Sequence, residues 1–190
     1  DVANTLDHIV IVCNTDSNGS RTMKYLRVLK EKRVDGIIFV SEVLTDLYYQ
    51  TLKEMRIPTL LVSTMSEKFQ VPYVKVDDEQ AAYGGTQYLI DCGHRHIALL
   101  SGSISDPIAG KPRVDGYRRA LQDNNIPVNE DYIFYGKDFG NVTGYKSLDD
   151  IIKIPEITAV FAVSDELAAG ILSRAYQLGI KVPDELSVLG

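Results

Sequence analysis

Three groups of residues carry side chains with chemical potential. Cys92-x-His94-x-His96 offers a thiol and two imidazoles at close spacing. Gly93 falls inside the group, however, and a glycine that ends a helix turns successive side chains to different sides. No second cluster with zinc spacing accompanies it, so a structural turn is the preferred reading. Asp77-Asp78-Glu79 resembles an acid–base carboxylate set, but the acidic cap and first turn of a helix account for all three residues. The third group is dispersed. Short polar residues follow successive apolar runs: Asn14-Thr15-Asp16, Ser41-Glu42, Ser63-Thr64, Asp77-Asp78, Ser101-Gly102-Ser103, Lys137-Asp138-Phe139 and Ser164-Asp165. Hydroxyl, amide and carboxylate side chains suit the hydroxyls of a sugar, and Phe139 adds a flat apolar face. Wet loops alone would explain any single one of these exits. There is no GxSxG elbow, no phosphate-binding P-loop and no GxGxxG after a strand. No catalytic residue, cofactor or metal site is expected.

The elements that would position these residues follow from hydrophobic periodicity. Apolar, β-branched runs occur at Ile9–Cys13, Ile37–Val40, Thr59–Val62, Val74–Val76, Ile97–Leu100, Tyr132–Tyr135, Ala159–Val163 and Leu186–Leu189. Helical stripes lie between most of them, the strongest being Leu167, Ala168, Ile171, Leu172, Ala175 and Leu178. Strands and helices alternating with a repeat of roughly 30 residues indicate βαβ units and parallel sheets. Gly93 and Gly179 stand where helix C-caps need positive φ, and Ser164 or Asp165 can cap a helix start. The polar segment from Ser63 to Tyr73, with Pro72, joins two strand signals without a helix. It is expected to carry the chain between two sheets, dividing it into an N-terminal lobe over 1–63, a crossover at 64–72 and a C-terminal lobe over 73–190. The carboxyl ends of parallel strands share one edge, so the polar exits would converge there.

Composition sets the outer bounds. The 190 residues are 45% hydrophobic and 24% charged, with a formal net charge of -6. That balance argues against a surface built mainly for nucleic acid, so any DNA contact would come from a part outside this sequence. Cys13 and Cys92 make no disulfide framework and point to a reducing compartment, hence a cytoplasmic location. No apolar run is long enough to span a bilayer, and no membrane partner is expected. The sequence begins with Asp rather than Met, so an upstream region is expected.

Several motifs, in order along nearly the whole chain, resemble one family. Val34-Asp35-Gly36-Ile37-Ile38, Gly93-His94-Arg95-His96-Ile97-Ala98, Arg113-Val114-Asp115-Gly116-Tyr117, and Val163-Ser164-Asp165-Glu166-Leu167-Ala168 are similar to the effector-binding core of the LacI/GalR transcription regulators. The tail from Val182 to Gly190 resembles the same family's approach to its last core strands. Within the family, Ser101–Leu121 with Asp106-Pro107-Ile108 is most similar to catabolite control proteins of Gram-positive bacteria. The resemblance implies a periplasmic-binding-protein-like α/β fold of two lobes, each a parallel sheet flanked by helices, with the effector in the cleft between them. Against the family pattern, the sequence starts within the first core helix and stops before a segment that carries a cleft aspartate. The first lobe is therefore expected to be incomplete.

The resemblance also supplies site residues and partners. Arg113 matches the arginine that binds polar ligand groups, and Phe139 matches an aromatic against which family ligands stack. Ser164 is the preferred ligand contact over Asp165, which is more often a cap. Asp16, Asp77 and Ser103 complete the candidate set. The implied function is the effector-binding and dimerisation core of a sugar- or carbon-catabolite-responsive regulator. Its partners would be a sugar or sugar phosphate, operator DNA through a headpiece absent from this chain, a second copy in a homodimer, and a phosphorylated phosphocarrier protein as a further option. The alternative is a periplasmic-type sugar-binding protein for transport or chemotaxis.

Overall fold

Short apolar runs pair into two parallel sheets, and most of the amphipathic stretches between them become covering helices. The computed structural model describes residues 2–15 and 19–190. These fall into two units, Asp1–Lys75 and Val76–Gly190.

In the first unit the order is α1 (Val2–Thr5), α2 (Thr22–Lys32), β1 (Ile37–Val40), α3 (Asp46–Met55), β2 (Thr59–Val62) and β3 (Tyr73–Val74). The strands form a parallel sheet in the order β1-β2-β3. Ile37 and Phe39 face inward with Leu26 of α2, Leu52 of α3 and Leu61 of β2, whereas Ile38 and Val40 are exposed. This is the two-residue period of a strand covered on one face.

Two expectations fail here. Ile9–Cys13 forms no strand: Ile9 is 94% and Val12 87% exposed. Its β-branched composition suits a strand, but a strand also needs a neighbour for its N–H and C=O groups. Among the described residues, none pairs with it. Nor does the segment at 64–72 cross between sheets. It joins β2 to β3 within one sheet, with Leu61 opposite Tyr73 and Val62 opposite Val74. Parallel neighbours require a crossover rather than a hairpin, and a loop suffices for strands this short. The units divide after Lys75, and β3 belongs to the first.

The second unit contains α4 (Asp78–Asp91), β4 (Ile97–Ser101), α5 (Gly110–Asp123), β5 (Ile133–Tyr135), α6 (Asn141–Ile151), β6 (Ala159–Ala162), α7 (Asp165–Leu178) and β7 (Ser187–Leu189). All four strands are parallel, in the order β5-β4-β6-β7. β4 and β6 are central, and every residue of both is buried, as their unbroken apolar runs require. The helices pack as two pairs, α4 with α5 and α6 with α7. Right-handed crossovers explain this: α5 runs from β4 toward one edge, while α6 and α7 lead the chain toward the other. The two pairs therefore cover opposite faces. Gly93 at φ 97° and Gly179 at φ 74° end α4 and α7 as expected.

Candidate functional site

The connections leaving β4 and β6 turn to opposite faces of the second sheet, and such a switch point opens a crevice at the carboxyl ends of the two strands. The residues gathered there come from four places. Arg113 stands in the first turn of α5, after the β4 exit. Asp78 opens α4, Phe139 lies in the loop after β5, and Val163 and Ser164 follow β6.

Arg113 ties these elements together. Its Nε donates to Asp78 Oδ1 at 2.8 Å, Nη2 lies 2.7 Å from the same oxygen, and Nη1 donates to the Val163 carbonyl at 2.5 Å. Its Cζ lies 5.8 Å from the centre of the Phe139 ring, within cation–π reach. The Asp78 side chain is 6% exposed and that of Arg113 27%, so the carboxylate is the buried member of the pair. A guanidinium has five N–H donors. The three bonds above leave one on Nη1 and one on Nη2 for a further acceptor.

Phe139 is seated by a close approach. A Cβ on Gly102 would meet the ring at 2.5 Å, so only glycine lets the ring rest against the β4 exit. Ser164 Oγ donates to the Phe139 carbonyl at 2.9 Å and accepts from Leu167 N at 3.2 Å. Ser164 is therefore the cap of α7 and also anchors the Phe139 loop. Asp165 is the exposed first residue of the helix. Ser164 and not Asp165 is the cap, because the helix begins one residue earlier than a cap at Asp165 would require.

Asp77 is likewise a cap, accepting from Gln80 N at 2.9 Å at the start of α4. Ser103 Oγ is 2.7 Å from Ser105 Oγ and accepts from Ser105 N, which folds the loop leading to α5. Asp138 Oδ1 accepts from Gly140 N at 3.0 Å and Thr143 Oγ1 at 2.6 Å, and these donors hold its carboxyl below the usual range. Asp16 lies outside the described residues. The structure thus brings Arg113, Phe139 and Ser164 together, while Asp77, Asp165 and Ser103 serve or border the helix starts and loop around them.

Two residues escaped the candidate set. Asp78 was grouped with an acidic helix start, and nothing in sequence pairs it with Arg113. Ser101 ends β4 fully buried, and its Oγ has no hydrogen-bond partner. Its place as the last residue of an apolar strand at the switch point was the available signal.

A cavity of 310 Å³ also touches Arg113 and Asp78, but its walls include Ala82, Phe161 and Leu189 rather than Phe139. Its walls are mostly apolar, with Asp78, Tyr88 and Arg113 as the polar side chains. At the other end of the strands, His94 bridges Thr158 Oγ1 at 2.8 Å and Ser187 Oγ at 3.1 Å. His96 reaches Tyr132 OH at 3.1 Å. The histidine motif thus buttresses the strand starts.

The chain as a whole has known relatives. Residues 2–189 match the family described as periplasmic binding proteins and sugar binding domain of the LacI family. The chain belongs to this family. Catabolite control protein A of Priestia megaterium is 35% identical to it over 191 residues, covering 100% of this chain and 57% of that protein. The crystal structure of the transcription regulator CcpA of Lactococcus lactis superposes with a TM-score of 0.87 at 29% identity, covering 98% of this chain and 68% of that one. A LacI family transcriptional regulator from Enterococcus faecium, solved with bound ribose, matches at TM-score 0.83 and 26% identity, covering 100% of this chain and 68% of that one. This LacI-family chain thus spans little more than half of a curated relative. These relatives are transcription regulators and not enzymes. Among the described residues, no helix is long and apolar enough to cross a membrane.

Proposed function

We propose that this chain is the effector-binding core of a cytoplasmic, DNA-binding transcription regulator that responds to a sugar-type ligand. The observation that carries the reading is Arg113. It is fixed by Asp78 and the Val163 carbonyl at the switch point, keeps two N–H donors, and lies beside the Phe139 ring. A fixed donor fork next to an aromatic face matches a sugar ring, which presents oxygens at its rim and C–H groups on its face. The ribose complex of the Enterococcus faecium relative supports the ligand class, and the catabolite control relatives support the regulatory role. Ser101 and Asp78 join Arg113, Phe139 and Ser164 as the residues of this site.

Control follows from differential binding. An effector that favours one conformational state of the core shifts the population, and operator affinity shifts with it. Operator contact would come from a DNA-binding headpiece, and a homodimer would match a two-fold operator. A phosphorylated phosphocarrier protein is a second candidate input, implied by the resemblance of Ser101–Leu121 to catabolite control proteins.

The test is operator binding by the full-length protein, with and without a panel of pentoses, hexoses and disaccharides. One or more sugars should change operator affinity by about 5–150-fold, the usual range of allosteric coupling. Arg113→Ala should abolish that response and leave sugar-free operator binding in place. A response that survives in the variant would overturn the assignment of the site.

A further inference from the structure

We infer that Asp78 makes this site selective for neutral, hydroxyl-rich ligands and against phosphorylated or carboxylated ones. The inference rests on the reading of Arg113 as an effector contact and goes on to name the ligand's charge.

Arginine at a ligand site ordinarily favours anions, because the guanidinium brings a full positive charge and a fork shaped for phosphate or carboxylate. Here a buried carboxylate already takes that geometry: Nε and Nη2 both engage Asp78 Oδ1, at 2.8 and 2.7 Å. The pair is close to neutral seen from the ligand side. The two remaining N–H groups still donate hydrogen bonds, but an anion receiving them would sit near the Asp78 charge. Hydroxyl or ring oxygens accept the same bonds without that repulsion.

The surrounding charges point the same way. The other cations of α5 are each engaged by a carboxylate: Lys111 with Asp115, Arg118 with Glu130, and Arg119 with Glu79. The loops leaving the strands of this unit carry Asp106 and Asp138, with Lys137 as the cation in the same loops, and Asp165 opens α7. The N-termini of α4 and α7, which would otherwise draw an anion, are filled by the protein's own acceptors: Asp77 takes Gln80 N at 2.9 Å and Ser164 takes Leu167 N at 3.2 Å. α5 and α6 begin without a side-chain cap, and in the loops before them Asp106 takes Ile108 N at 2.8 Å and Asp138 takes Gly140 N at 3.0 Å.

The experiment compares matched pairs on the full-length protein: ribose with ribose 5-phosphate, glucose with glucose 6-phosphate, and cellobiose with inorganic phosphate as the bare anion. Calorimetry gives affinities for wild type, Asp78→Asn, Asp78→Ser and Arg113→Ala. Wild type should bind at least one neutral sugar, its phosphate at least roughly tenfold more weakly, and inorganic phosphate not measurably. The affinity for the neutral sugar should also be insensitive to added salt. Asp78→Asn should gain roughly tenfold or more for the phosphorylated member or for phosphate itself. Asp78→Ser checks that gain if the asparagine variant folds poorly, and the wild-type comparison needs no variant at all. Wild type binding a sugar phosphate as tightly as its neutral partner would overturn the inference, as would Asp78 variants with no gain for any anion. Either result, with Arg113→Ala still deficient in binding, leaves the effector site intact and removes only the charge rule. Neutral-sugar binding unchanged in Arg113→Ala, or no binding of any probe, would remove the site assignment and the inference together.

Discussion

Arg113 is held by a residue 35 positions earlier in the chain, Asp78, through Nε–Oδ1 and Nη2–Oδ1 contacts of 2.8 and 2.7 Å. The pair joins the first turns of α4 and α5 at the edge where the effector is proposed to bind. It orients the guanidinium and also couples ligand chemistry to the packing of two helices.

Breaking this pair from either side should destabilise the fold. Arg113→Met takes the guanidinium away from a carboxylate whose side chain is only 6% exposed. Its cost should be about 2–4 kcal/mol, at or below the value for a fully buried pair because the arginine keeps some solvent. The double variant Arg113→Met/Asp78→Asn should lose less than the sum of the two single variants. Urea unfolding of all four proteins measures the coupling.

Helix pairing in the second unit depends on Gly116. A Cβ there would stand 2.1 Å from the Glu79 carbonyl oxygen and 2.9 Å from Tyr83 N, both backbone atoms of α4. Alanine gains about 1 kcal/mol of helix propensity, but the rigid contact forces α4 and α5 apart. Gly116→Ala should be destabilised by a net of about 2 kcal/mol, read from denaturant midpoints, and should displace Asp78 relative to Arg113.

Tyr117, one position on, is fully buried and donates to the Ile97 carbonyl at 2.7 Å. Burial pushes its phenol well above the ordinary value. The folded state therefore holds the proton more tightly than the unfolded chain, whose tyrosines release it near pH 10. This stabilising contribution is complete below that pH and is lost as pH rises above it. Tyr117→Phe should cost about 1 kcal/mol at pH 7, and the gap from wild type should shrink above about pH 10. Unfolding curves across that range measure both.

Ser101→Ala should behave differently from a typical core substitution. The hydroxyl is buried without a partner, so removing it relieves a desolvation cost instead of breaking a bond. Stability should stay within about 0.5 kcal/mol of wild type or rise by up to about 1 kcal/mol. Thermal unfolding without ligand is the check.

The second unit was legible in sequence because its signals are local. Ile97–Leu100 and Ala159–Val163 are apolar runs that only a doubly covered strand explains, and Gly93 and Gly179 mark helix ends. The motif singles out Arg113, and the structure places it in the first turn of α5. What depends on neighbours was hidden. Ile9–Cys13 has strand composition but no partner among the described residues, and composition cannot report pairing. The loop over 64–72 looked like a passage between sheets because the strand it serves, β3, is only two residues long. Ser164 and Asp165 are both capping types, and a one-residue difference in helix start decided between them. Asp78 could be recognised as Arg113's partner only after α4 and α5 had packed.

The most direct test of the account is the affinity of the full-length protein for its responding sugar, measured by calorimetry in wild type, Arg113→Ala and Arg174→Ala. Arg174 is paired with Asp149 near the far end of α7 and serves as the control arginine. Loss of two or more bonds to the ligand should weaken binding by roughly 30-fold or more in Arg113→Ala, with Arg174→Ala unchanged. Equal affinity in wild type and Arg113→Ala would contradict the account.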